Sequence, residues 1–300
     1  MLVPERRIPL PGVGGRIDHM ALDRKGGRLF IAEVGGGAVE TVDLAAGRVS
    51  GHIGGLSEPQ GVAYLPDRDE LVVATGGDGL VRFYSGDGRE VGRIALGEDA
   101  DNVRVEASSG LVDVGFGRGG IAVIAPQTRT VVRTLPLTAH PEAFQIDRGR
   151  AYVNLPGADK VAVLDLTSGK TLAAWPNAGG HFNFPMAIDP ASGVVAVVYR
   201  LPSRLTLFEA GSGKTLQDLG TCGDADDVWF DASRRRIYVI CGSGSVDVFV
   251  RTGVAYVRQS RTATGAGART GLYDPALDRL FVAVPARGGE PAEIWEFGPR

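Results

Sequence analysis

The sequence predicts an all-β chain built from seven copies of one four-stranded antiparallel unit. Three observations carry this. A motif recurs every 41 to 43 residues along the whole chain, each recurrence holds four short β-rich runs, and Gly is 44 of 300 residues, about twice the ordinary share. A period of about 42 residues with four strands is the spacing of a β-propeller blade. The expected fold is therefore a seven-bladed β-propeller in a single domain spanning residues 1–300.

Each unit opens on a segment that closes in most copies on an acidic residue. The seven read RIDHMALD, EPQGVAYL, DADNVRVE, HPEAFQID, FNFPMAID, DADDVWFD and GARTGLYD, ending at residues 23, 65, 106, 147, 189, 231 and 274. The terminal acids Asp23, Asp147, Asp189, Asp231 and Asp274 are read as Asx-type turn caps. A second run follows, such as RLFIAEV or RIYVICG, then a turn, then a third such as AVETVDL or KVAVLDL, and a short fourth closes most units. Val, Ile, Phe and Tyr at period two, cut by Gly, Asp and Ser, mean hairpins. No segment shows capped helical periodicity. The last unit reaches Arg300 after three strands, and RRIPLPG (6–12) supplies its missing outer strand. This closure leaves no sheet edge open.

Composition bounds the function. Net charge is −3 with a pI near 5.9, so a phosphate backbone is not the expected partner. No apolar run reaches the ~20 residues of a membrane helix, and the first residues lack the apolar core of a signal peptide. A monomer is expected. One bridge between Cys222 and Cys241 is possible, and two ordinary small side chains are the expected reading. GFGRGG (115–120) matches a dinucleotide fingerprint but precedes a strand, so it is a hairpin turn. GSGKT (211–215) has Phe208 where a P-loop requires Gly, so it too is a turn.

The polar residues gather at one aligned position of the first strands: Asp18, Gln60, Asp101, Glu142, Phe184, Asp226 and Arg269. In a propeller these strand ends face the central channel. Four carboxylates against one arginine repel one another and call for a compensating partner, a small molecule or a divalent ion. Asp101, Glu142, Asp226 and His140 are the metal-ligand candidates, for calcium, magnesium or zinc. His19, Asn102, Asp227 and Thr270, one residue on, are either ligand contacts or bonds between blades. Strand alternation is expected to send the two sets to opposite faces. His181 falls at the same end. Glu33, Asp78, Arg118, Asn154, Tyr199, Arg200 and Arg287 are read as loop residues of that rim, with Tyr199 and Arg200 covering the entrance.

AYVNLPGADKVAVLDLTSGKTLAAW (151–175) resembles the YVTN-type propeller repeat, and the set of opening segments resembles the YncE-like branch of bacterial propellers. The resemblance covers residues 6–298. It implies a propeller fold, frequent export to the periplasm and a molecular role mostly unassigned. The leading expectation is a propeller that binds a small ligand or metal at the channel entrance. The alternative is a metal-dependent hydrolase or lyase of lactonase type, with His19 or one acid as general base. The third is a protein-interaction platform.

Overall fold

A computed structural model describes residues 1–300. It is a seven-bladed β-propeller of seven four-stranded antiparallel sheets. Blade 1 runs Ile17–Asp23, Arg28–Glu33, Ala38–Asp43 and Arg48–Ile53. Blades 2 to 6 repeat it over residues 59–95, 103–136, 144–176, 181–220 and 225–263. Blade 7 takes Gly271–Asp274, Arg279–Val284 and Ala292–Pro299, and its outer strand is Leu2–Leu10. The strand from the N-terminus thus closes the last blade as expected, four residues earlier than the sequence segment begins. Met1 and Arg300 are hydrogen-bonded backbone to backbone. The one helical turn is the 3-10 segment Pro156–Ala158, and no helix is long and apolar enough to cross a membrane.

The chain divides into two compact units. One holds residues 8–141 and 285–293, with blades 1 to 3; the other holds 1–7, 142–284 and 294–300, with blades 4 to 6 and most of blade 7.

Second strands are buried along nearly their whole length, as in ELVVAT and RIYVIC, because both faces meet a neighbouring blade. Within the first unit, Phe30 and Val39 of blade 1 pack on Val62 and Val73 of blade 2. Phe83 of blade 2 packs on Val103 and Val114 of blade 3. In the other unit Tyr152, Trp175 and Phe208 join blades 4 and 5, and Tyr238 and Tyr273 join blades 6 and 7. Each fully buried aliphatic or aromatic side chain contributes roughly 1.5–3 kcal/mol.

The turns follow the expected chemistry. Asp23, Asp189, Asp231 and Asp274 each accept a backbone N–H two or three residues on, at 2.8 to 3.1 Å. GFGRGG is the hairpin between Val112–Phe116 and Gly120–Ala125. In blades 1 to 6 the fourth strand carries a β-bulge at one shared position, as between Thr41 and Val42 or Val163 and Leu164 of the facing strand. Such bulges twist an outer edge away from further pairing.

The cysteines take the less expected of the two readings the sequence allowed. Cys222 and Cys241 are joined by a disulfide, with Cα atoms 5.8 Å apart. Cys222 stands just before blade 6, and Cys241 ends its second strand opposite Ala225. Three rim residues are corrected. Glu33, Asn154 and Tyr199 are 3%, 0% and 1% exposed. Their second strands extend to Glu33, Leu155 and Leu201, carrying these side chains into the packed interior instead of a loop.

Candidate functional site at the inner-strand entries

The aligned ring position lies outside regular pairing in every blade. In blades 1, 2, 5 and 6 the ladder between first and second strands slips there: between Ile17 and Met20, Pro59 and Val62, Asn183 and Met186, and Ala225 and Asp227. In blades 3, 4 and 7 pairing begins only at Val103, Phe144 and Gly271, after Asp101, Glu142 and Arg269. The strict alternation expected from the sequence therefore does not hold at this position. A bulge re-aims its side chain, and period-two counting cannot detect one.

Two residues upstream the backbone turns left-handed. Glu58, Asp99, Phe182 and Asp224 have φ of 52, 39, 60 and 60°, and blade 7 has Gly267 at 88°. The turn has a structural use: the carbonyls of Glu58, Asp99 and Asp224 accept N–H bonds from Gly76, Gly117 and Gly242 in the next turn, at 2.8 to 3.2 Å. Glycine meets this need without strain, as Gly267 does. A side chain costs roughly 1–2 kcal/mol there, yet four blades keep one.

In the unit with blades 1 to 3 these side chains form a linked row. Arg16 bonds Asp18 and donates to Gln60 Oε1 at 3.2 Å. Gln60 Nε2 donates to Asp99 at 3.4 Å, and His140 Nδ1 stands 3.6 Å from the other Asp99 oxygen. His140 Nδ1 also lies 2.6 Å from the Gly117 carbonyl, which fixes it as the protonated nitrogen. Asp18, Asp101 and Asn102 are buried at 3, 7 and 2% exposure. Asn102 donates to Asp101 at 3.2 Å, and His19 Nε2 is 3.8 Å from Asp18.

In the other unit the arrangement centres on Asp224. Arg200 donates from Nη2 to Asp226 Oδ1 at 2.5 Å and from Nε to the Ala225 carbonyl at 3.0 Å, and its Nε lies 3.4 Å from Asp224 Oδ1. Arg269 Nη2 meets Asp224 Oδ2 at 3.0 Å. The Arg200 guanidinium carbon lies 4.2 Å from the centre of the Phe184 ring, a cation–π contact. Phe182, half exposed, lies parallel to Phe184 with ring centres 6.3 Å apart. A Cβ at Gly242 would collide with the Asp224 carboxylate at 2.2 Å, so that glycine makes room for it. Sequence reasoning gave Arg200 only a covering role; it placed Asp224 with Arg16, Glu58, Asp99 and His140 two residues before the ring but left Asp224 and Phe182 out of the binding set. Their signal was the position two residues before the ring.

Other expected members are held structurally. Asp227 Oδ2 accepts the Gly271 N–H at 2.8 Å, tying blade 6 to blade 7. Glu142 uses its backbone N–H on the Asn154 carbonyl at 3.1 Å. Asn154, entirely buried, donates to the carbonyls of Phe184 and Pro185 at 3.0 and 3.2 Å. No group of three or more His, Cys, Asp or Glu side chains is arranged to hold a metal ion. Asp226 carries the Arg200 guanidinium and His140 Nδ1 the Gly117 carbonyl.

No family model matches this chain, and no curated protein matches it. Solved structures do. A chain of the Kuenenia stuttgartiensis hydrazine synthase is 17% identical with a TM-score of 0.79, over 95% of this chain and 98% of its own. A chain of a mitotic checkpoint complex is 15% identical with a TM-score of 0.82, over 99% and 92%. At these identities the likeness establishes the fold, shared by proteins of unrelated roles.

Proposed function

We propose that this protein is a ligand-binding propeller of the YVTN and YncE-like kind, and that it takes a small carboxylate at the inner-strand entries of blades 5 to 7. The observation behind this reading is Asp224. Its carboxylate sits between Arg200 and Arg269 on a backbone that would be unstrained as glycine. Strain kept at an exposed polar site points to use rather than to folding. A ligand carboxylate takes up the guanidinium donors on the Arg269 side, while its apolar body rests on the exposed face of Phe182. Asp226 holds Arg200 in place through its Nη2.

The 42-residue units and the YVTN-like stretch of blade 4 support the family assignment. The Cys222–Cys241 bridge supports an oxidising compartment, in keeping with the export implied by the resemblance.

The test is a thermal-shift screen of small carboxylates, amines and neutral controls against the protein and its R269Q variant. A carboxylate should raise the melting temperature of the parent and not of R269Q. A blank screen at 10 mM, or an equal shift in R269Q, overturns the reading.

A further inference from the structure

The groove between blades 1 and 2 holds a pocket of about 310 Å³, remote in sequence from the Asp224 cluster and lined by residues of one unit. Phe30 and Tyr64 form one wall, stacked with ring centres 5.5 Å apart. Ile53 and Leu71 add aliphatic surface, and His52 and Asp87 stand on the lining. Arg28 braces the aromatic wall, its guanidinium carbon 5.5 and 5.4 Å from the two ring centres. It is held by Asp23, the Gly86 carbonyl and Tyr64 Oη at 2.8 to 3.0 Å. The wall is therefore built before anything binds.

The repeat supplies an internal comparison. Between blades 4 and 5 the corresponding groove is full. Trp175 lies there, 5% exposed, with its ring 5.6 Å from Tyr152 and 5.7 Å from Phe208. A Cβ at Gly213 would strike the indole at 2.2 Å. Register gives the equivalences. Tyr152 faces Val163 as Phe30 faces Thr41, and Trp175 faces Val161 as Ile53 faces Val39. Phe208 faces Val195 as Tyr84 faces Leu71. Gly213 and Gly88 each precede the last residue of the third-to-fourth-strand turn. Blades 1 and 2 thus keep the aromatic frame and the glycine but place Ile53 where the indole stands.

Two further grooves are filled differently. Between blades 2 and 3, Arg129 lies against Gly92 and bonds Glu70 at 3.0 Å. Between blades 5 and 6, Gln217 donates to the Tyr256 carbonyl and accepts from its N–H. The residue matching Gly92 and Gln217 in blade 1 is Gly51, whose added Cβ would meet only Thr41 of its own blade.

We propose that this pocket binds a small planar aromatic molecule of indole size, which occupies the volume that Trp175 fills between blades 4 and 5. Ring contact with the part-exposed Tyr64, backed by the buried Phe30, supplies the affinity, and the volume is at the small end of ligand pockets. His52, bonded through Nδ1 to Glu40 at 2.6 Å, offers Nε2 to an acidic substituent. Asp87 offers its carboxylate to a basic one.

The test uses indole, with cyclohexanol as a non-aromatic control of similar reach, by equilibrium dialysis on the intact protein. Indole should be retained by the parent and cyclohexanol should not. Ile53→Trp places the missing side chain in the pocket. It should melt higher than the parent and retain at least tenfold less indole. Ile53→Phe serves where the larger residue fails to fold and should show the smaller loss. No retention of indole at 5 mM by the parent, retention equal to that of cyclohexanol, or full retention by a folded Ile53→Trp or Ile53→Phe variant would overturn the proposal.

Discussion

Asp224 and Arg269 meet carboxylate to guanidinium at 3.0 Å across the entry to blades 6 and 7, and the Asp224 backbone stands at φ +60° where its counterpart one blade later is Gly267. The side chain adds an exposed ion pair, which is worth about 0–1 kcal/mol. The left-handed backbone takes back a similar amount.

Asp224→Gly should therefore leave stability within about 1 kcal/mol of the parent. The same change frees the Arg269 and Arg200 guanidinium groups that Asp224 neutralises, so any carboxylate-induced thermal shift should persist or grow. Chemical denaturation and the ligand screen, run on one preparation, separate the two effects. A fall of several kcal/mol would show Asp224 to be structural.

Asp247 gives the opposite case. It is fully buried and held by Arg261 at 2.6 and 2.8 Å, with Arg258 and Thr221 within 3.4 Å. Asp247→Ala leaves two guanidinium groups facing a hole in blade 6. A loss of about 2–4 kcal/mol is expected in urea unfolding, below the full cost of a broken buried pair because both arginines are half exposed.

Asp113 makes stability depend on pH. It has zero exposure, and neither carboxyl oxygen meets a donor. Burial, with Glu106 facing it, pushes the carboxyl up to about 8. The folded state then holds a proton that the unfolded chain releases near its ordinary value of 3.8. Stability is fully present below pH 4 and falls as pH rises toward 8, by up to about 1.4 kcal/mol per unit from this group. Asp113→Asn should flatten the decline in melting temperature between pH 5 and 8. An unchanged slope would count against the buried proton.

Removing the bridge by Cys222→Ala with Cys241→Ala frees a loop of 19 residues in sequence separation. Loop-closure entropy sets the expected loss at about 3 kcal/mol. Alkylation mass spectrometry of the parent, with and without reductant, should show two thiols only after reduction. Equal melting temperatures for parent and variant would remove the bridge from the stability of blade 6.

The fold was legible because its signal is repeated. Seven copies of one grammar make the strand pattern visible even where a single copy, such as LVDVGFG, is weak, and the unpaired last unit pointed to the N-terminal strand. The ring position was legible as a polar column, but its geometry was not, since the bulges beside Asp18, Gln60 and Asp226 break the alternation that a sequence can display. Tyr199 and Asn154 read as loop residues because YRLPS and NLPG look like turns, whereas pairing runs on to Leu201 and Leu155. The bridge was the less expected reading because Cys222 lies outside any strand, and only the pairing of Ala225 with Cys241 brings it near. The blade 1–2 pocket lay in the repeat itself: aligning Ile53 with Trp175 marks a missing indole.

Blade 7 sets the strand Leu2–Leu10 beside Ala292–Pro299, so strand order along the chain is almost incidental to its architecture. A short peptide tether could join the two termini and a new opening be cut at another blade boundary, giving permuted molecules of unchanged blade order. Comparing such permutants would separate what blade 7 owes to being stitched from both tails from what it owes to its own residues.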